Sequence, residues 1–337
     1  MADTDLIARV SDIAVDPFRP DTVYAAVSAM EDHGIDGVVK SMDRGVTWEE
    51  LDLAPIVNDD YEQIAFDPTT PGLMYASFLR FWPARDGVTW RSTDHGATWQ
   101  ETEGGYPLAV DSEGVVYAGD LRSTDHGQTW QRVAMPPDLT LSYAASPAGG
   151  GTLLAGTFRQ GTFRSRDQSA SWQPARDGLH ATSVISFVID PQRPRVIYAG
   201  AGMGGVFKSG SAGASWRRTD ADLPDSVEDF YVSHALGIDP LRPQTVYIGW
   251  DQGILSASGF ARSDDGGAHW TVLREGDGEF SYFPWQIVGD PVTPGFVYMT
   301  GVRVASADAP CNVARSEDRG VTFECLAPVH SPGADAW

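Results

Sequence analysis

The sequence predicts an all-β fold, a seven-bladed β-propeller of four-stranded antiparallel blades. Three observations predict it. A short turn signature, clearest at Arg91 to Trp99 and Arg122 to Trp130, returns seven times along 337 residues. Between its copies the chain runs in short apolar segments of strand length, with almost no helical periodicity. The 36 Gly and 22 Pro, beside an apolar fraction of 42%, suit many tight turns joining short strands.

The signature reads Ser-x-Asp-x-Gly-x-Thr-Trp with a basic residue just ahead, and its other copies are Lys40 to Trp48, Arg164 to Trp172, Lys208 to Trp216, Arg262 to Trp270 and Arg315 to Phe323. The Asp carboxylate is suited to accept backbone N–H groups two or three residues on, closing an Asx-type turn. Glycine two residues later supplies a positive φ. The hydroxyls add local bonds, and the Trp brings a large apolar ring into the core as the next strand begins. Asp43, Asp94, Asp125, Asp167, Asp265 and Asp318 are therefore read as structural, not as metal ligands or catalytic acids. Ser169 in place of Gly, Ser211 of Asp, His269 of Thr and Phe323 of Trp are drift that a turn tolerates and a catalytic centre does not.

Each unit supplies four strands, A to D, with the signature as the C–D turn. In the first, these are Ser11-Asp-Ile-Ala-Val, Thr22 to Val27, Gly37 to Ser41 and Thr47 to Leu51, and an Asp-Pro turn at Asp16-Pro17 joins A to B. Five units carry such an Asp-Pro turn; the fourth has Ser146-Pro147. The blades fall at about 11–51, 61–102, 106–133, 141–175, 184–219, 235–273 and 286–326, with a tail over 327–337, giving one propeller domain over 1–337. The third is compressed, with almost no B–C loop at Gly119-Asp120. Since A-B-C-D order holds in the first and last units, the ring is expected to close without a swapped strand, and Ala2 to Val10 can add one at an edge. A monomer is expected.

Composition narrows the partners. Lys and Arg total 24 against 46 Asp and Glu, a net charge of −22 that repels phosphate backbones and anionic membrane surfaces. Nucleic acid is excluded as a partner on that ground, and no apolar run has the length of a membrane span. Met1-Ala-Asp-Thr-Asp5 lacks the basic and apolar regions of a signal peptide, so the chain reads as cytoplasmic and soluble, or as exported after a signal is removed. Cys311 and Cys325 flank the seventh signature on strands the turn would join, where a disulfide and two free buried thiols are both compatible with the spacing.

The signature resembles the Asp-box, or bacterial neuraminidase, repeat, and the resemblance covers nearly the whole chain. Families that carry it include sialidases, xyloglucan-active glycosidases, sortilin-type receptors and photosystem II assembly factors, the last closest in size to a single ring. The resemblance implies the propeller but no activity, because those families do unrelated things. Sialidases carry an Arg-Ile-Pro motif that is missing here, and Arg80, Arg159 and Arg303, which follow B strands, match no arginine-triad pattern. The xyloglucan-active enzymes use two propellers with a cleft between them. The assembly factors bind protein through basic residues, whereas this chain is acidic.

Strand direction places the boxes and Asp-Pro turns on one face and the long, irregular B–C and D–A connections on the other, where binding residues collect on a rigid ring. Strand A is expected to line the central channel, so the residues leading into it crowd the mouth: Asp59, Asp60, Tyr61, Glu62, Glu228, Asp229, Tyr231, Tyr282 and Trp285. Three readings follow. Trp82, Trp250 and Trp285, with Tyr61, Tyr231, Tyr282, Arg80, Arg159 and Arg303, offer a binding surface for a protein, glycan or small molecule. Asp59, Asp60 or Glu62 against Glu228 or Asp229, with His234, offers the paired carboxylates of a glycosidase-like hydrolase. His33, His180 and His234 offer ligands for a divalent metal, the one cofactor these residues suggest. Binding through the loop-rich face is the leading expectation, and hydrolysis or metal-dependent catalysis the alternative.

Overall fold

A four-stranded sheet of this size exposes both faces, and burial comes only when another sheet packs on each side. In a computed structural model, which describes residues 9–28, 37–51, 53, 61–80, 86–202, 205–223, 235–250, 259–275, 282–302 and 311–326, the chain forms seven such sheets, each of four consecutive strands in sequence order. All strand pairs are antiparallel, and the described residues contain no α-helix. The innermost A strands run Arg9–Val15, Tyr61–Phe66, Leu108–Val110, Thr140–Ala145, Ser183–Ile189, Leu236–Ile238 and Tyr282–Gly289. The outermost D strands, such as Glu49–Glu50 and Arg217–Arg218, are short and exposed.

The B strands carry the core. Every residue of Val23–Ser28, Leu153–Thr157, Ile197–Gly202 and Val246–Trp250 is buried, because a neighbouring blade covers each face. The hydrophobic core divides into seven clusters, and each draws on two adjacent blades. A large apolar side chain moved from water into such a cluster contributes about 1.5–3 kcal/mol. The first and last blades share a cluster of the same kind, in which Val10, Ile13 and Val27 pack with Tyr298, Val313 and Leu326. The last sheet contains only its own four strands, so the ring closes without a swapped strand.

The boxes form the turns expected of them, with one adjustment. The Asp carboxylate reaches four residues ahead: Asp94 accepts Thr98 N at 2.8 Å and the Thr98 hydroxyl at 2.6 Å. The buried Ser92 hydroxyl accepts Gly96 N at 2.9 Å and donates to Asp94 at 2.8 Å. The same set recurs at Asp43, Asp125, Asp167 and Asp318. In the variant fifth box the Ser211 hydroxyl takes the place of the carboxylate and accepts Ser215 N at 2.9 Å. Hydrogen bonds, led by the Thr129 hydroxyl on Asp125 and the Ser171 hydroxyl on Asp167, hold these exposed carboxyls below the usual carboxylate range. The residue ahead of the box glycine also has positive φ, as at His95 (60°) and Gln168 (56°), and Ser169 keeps φ 69° where glycine is absent.

The basic residue ahead of six of the seven boxes, to which the sequence assigned no role, bolts one blade to the next. Arg91 donates to the carbonyl of His126 at 2.6 Å, Arg122 to Gln168 at 2.8 Å, Arg164 to Ala212 at 3.0 Å, Lys208 to Gly266 at 2.5 Å, Arg262 to Arg319 at 2.8 Å and Arg315 to Arg44 at 3.0 Å. At the interface of the first and second blades the Tyr24 hydroxyl makes the equivalent bond to His95 at 2.8 Å. Box tryptophans reach the other way: Trp216 and Trp270 donate to Ala175 and Thr219 of the preceding blade. Cys311 and Cys325 are joined by a disulfide, which decides the question left open by their spacing.

Candidate functional site

The A strands enclose a central cavity of about 430 Å³, a size typical of small-ligand sites. Its wall combines apolar residues, Leu141, Ile185, Phe187 and Ile287, with Arg9, Ser11, Asp12, Gln63, Ser142, Ser186 and Gln286. Because each A strand enters from the loop-rich end, Arg9, Tyr106 and Trp285 stand near that mouth, and Pro191 and Pro240 near the box end.

One position of strand A organises the polar wall. Four residues before the A–B turn residue Asp16, Asp67 or Asp290 stand Asp12, Gln63 and Gln286. Each reaches a backbone N–H on strand A of the next blade. Gln286 accepts Ile13 N at 2.5 Å, Asp12 accepts Ile64 N at 2.6 Å, and Gln63 accepts Leu108 N at 2.8 Å. The remaining blades place Pro107, Ser142, Ser186 and Ala235 there, and the belt continues only as a 3.5 Å contact from Ser142 to the carbonyl of Val184. The Ser186 hydroxyl is buried without a hydrogen-bond partner.

Asp12 is the one carboxylate among the described residues of this wall. It is 5% exposed, and burial pushes its carboxyl up to about 7 against the opposing effect of bonds from Ile64, Gln286 and Ile13. Arg9 lies with its guanidinium carbon 3.8 Å from the centre of the Trp285 ring, a stacked cation–π arrangement. Its Nε is buried without a hydrogen-bond partner.

The sequence-derived candidates distribute unevenly over this frame. Trp285 lines the cavity. Trp250 does not offer an open stacking platform: it is 2% exposed and packs with Leu236, Ile248 and Leu223. Its ring lies over Gly259, its partner in register, where any side chain would overlap it. Arg159 sits exposed on the B–C turn of the fourth blade, its guanidinium 5.3 Å from the Phe158 ring, and is not among the cavity residues. His180 is exposed between the fourth and fifth blades. Tyr61, Glu62, Arg80 and Tyr282 belong to strands, but their side chains lie outside the described residues. Asp59, Asp60, Trp82, Glu228, Asp229, Tyr231, His33, His234 and Arg303 lie outside them altogether. Among the described residues no group of three His, Cys, Asp or Glu is placed to hold a metal, and no helix is long and apolar enough to cross a membrane.

Sequence reasoning missed Arg9, Asp12 and Ser186. The signal was available: aligning the blades on the A–B turn instead of the box brings Asp12, Gln63, Ser142, Ser186 and Gln286 into one column.

Comparison with known proteins agrees with the architecture. The BNR/Asp-box repeat family matches residues 121–132, the third box. A xyloglucanase of Paenibacillus sp. is 26% identical over 324 residues, covering 85% of this chain and 29% of the enzyme, so the chain spans under a third of that curated relative. The crystal structure of a GH74 xyloglucanase from Xanthomonas campestris superposes with a TM-score of 0.72 at 19% identity, over 97% of this chain and 54% of that one. A structure of YCF48 bound to D1 peptide superposes with a TM-score of 0.61 at 14% identity, over 94% of both chains. With seven four-stranded sheets, a box at each C–D turn and these likenesses, the chain is a seven-bladed Asp-box β-propeller.

Proposed function

We propose that this propeller is a binding module that takes a small molecule or the end of a glycan into the loop-rich mouth of its central channel. The observation that carries the reading is the cavity itself: a concave site in which a stacked Arg9–Trp285 pair and a few polar groups interrupt an apolar wall. Its only described carboxylate, Asp12, already accepts two backbone amides. The similar structures include one named as a peptide complex as well as named xyloglucanases, so the fold admits both uses. Binding is tested by titrating the protein against a glycan array and a small-molecule library, then repeating the hits with Trp285→Ala. Hits that survive Trp285→Ala unchanged place the ligand elsewhere.

A second reading, hydrolysis of a glycan, is favoured by Asp12. A buried carboxyl that keeps its proton near neutral pH is what a general acid requires. Glycoside hydrolysis needs a second carboxylate, for which Asp59, Asp60, Glu228 and Asp229 are the candidates the sequence supplies. Xyloglucan and other β-glucan oligosaccharides, assayed for release of reducing ends with the unaltered chain and with Asp12→Asn, test this reading. Equal turnover by both proteins removes Asp12 from catalysis.

A further inference from the structure

We propose that the loop-rich end of the channel binds a small organic carboxylate, with Arg9 as its anion contact. This rests on the channel being the ligand site and names the chemistry it selects.

The first observation concerns charge. The chain has 46 acidic and 24 basic residues, and several of the described arginines stand beside a carboxylate. Arg44, Arg132, Arg193, Arg218, Arg262 and Arg315 each do. Arg9, in the cavity wall, forms no ion pair among the described residues, and its Nε is buried with no acceptor. A buried donor left in that state is a standing cost that a ligand acceptor relieves. Stacking on Trp285 holds the guanidinium plane fixed, which presents its edge as a preorganised fork for a carboxylate.

The second observation is that the nearby acid does not fill this role. Asp12 spends one oxygen on Ile13 N at 2.9 Å and the other on Ile64 N at 2.6 Å, so its lone pairs serve the backbone and not Arg9. The third lies on the fifth blade. The Ser186 hydroxyl lines the same cavity and is also buried without a partner. Leu141, Ile185 and Phe187 add apolar wall. A ligand that satisfies all of this carries a carboxylate at one end, a flat apolar body, and a hydroxyl or carbonyl at the other end.

4-Hydroxybenzoate and 4-hydroxybenzamide share that shape and differ in charge, so calorimetric titration of the whole chain with each decides the matter. The acid is expected to bind, and the amide to bind at least about tenfold more weakly, because a charge-assisted pair is replaced by a neutral one. Arg9→Gln is expected to bring the acid down to the amide's level, and Ser186→Ala to weaken both ligands alike. Equal affinity of acid and amide, lost together in Trp285→Ala, overturns the carboxylate assignment while leaving the channel as a binding site. Absence of heat from the acid at millimolar concentration overturns it too, and the glycan titration then judges the channel separately. Should Arg9→Gln fail to fold, the acid-to-amide comparison on the unaltered chain still decides.

Discussion

The box end and the loop-rich end of this propeller are held together by different means. At the box end one set of bonds repeats around the ring, and six of the seven interfaces use a cation from one blade on a box carbonyl of the next. Along the channel wall the equivalent position changes identity from blade to blade, and its belt of amide contacts is well formed only from the seventh blade through the first and second to the third. Towards the loop-rich end the fastenings are individual: Trp250 over Gly259 in one blade, a disulfide in another. Repetition marks what every blade needs in order to pack. Where repetition lapses, side chains have been released from that duty, and Arg9 and Ser186 stand there.

The contrast can be broken from the loop-rich end first. Trp250→Ala is expected to cost about 3–5 kcal/mol, the range for a large buried aromatic, read from urea unfolding; a cost under about 1 kcal/mol would return Trp250 to the surface role the sequence suggested. Cys311→Ser with Cys325→Ser opens a link spanning 14 residues, and its loss is expected to cost about 3 kcal/mol, measured as a fall in unfolding free energy under non-reducing conditions.

The channel wall supplies a test by pH. Asp12 holds its proton more tightly folded, with a value raised to about 7, than unfolded, where 3.8 is normal. The unfolded chain therefore loses this proton first as pH rises, and stability falls between about pH 4 and 7 and is level above. Between pH 5 and 7 the wild type is expected to lose about 2 kcal/mol relative to Asp12→Asn, checked by paired denaturation curves. Parallel curves would mean that Asp12 ionises as an ordinary surface acid.

The smallest effects sharpen the regular end. Arg164→Ala and Arg315→Ala each remove one charged donor from a neighbouring carbonyl and are expected to cost about 1–2 kcal/mol. If the boxes are equivalent bolts, the two losses agree within about 0.5 kcal/mol in thermal unfolding, although one lies inside the chain order and the other joins its last blade to its first.

Much of the fold was legible because the box encodes its own turn. Ser92, Asp94 and Thr98 bond one another within seven residues, so the pattern that makes the turn is written in consecutive letters. The bolts were not legible, since the partner of Arg122 is a carbonyl on Gln168, 46 residues away, and any residue type carries a carbonyl. Trp250 misled for a related reason. An aromatic at the end of a strand looks exposed until register sets Gly259 opposite it and lets the ring fold inward. Asp12 and Gln286 were hidden in short polar-apolar alternations that any strand can show. Their meaning emerges only when the first and seventh blades are neighbours, a relation 273 residues long in sequence.

That neighbouring carries a mechanical consequence. No strand of the last sheet is borrowed from the first, so the junction between them is a clasp and not a weld. It is fastened by Gln286 on Ile13, Arg315 on Arg44 and the shared packing around Leu326. Prising it apart unpairs no strand, whereas opening the ring anywhere else must also contend with the chain that runs on between blades. Under load, or in the first stage of denaturant action, the ring is expected to give way at this clasp, and the A strands that frame Arg9 and Trp285 to part with it. Arg9 of the first blade and Trp285 of the seventh stand on the two sides of this joint, and a ligand bridging them would hold the bracelet shut.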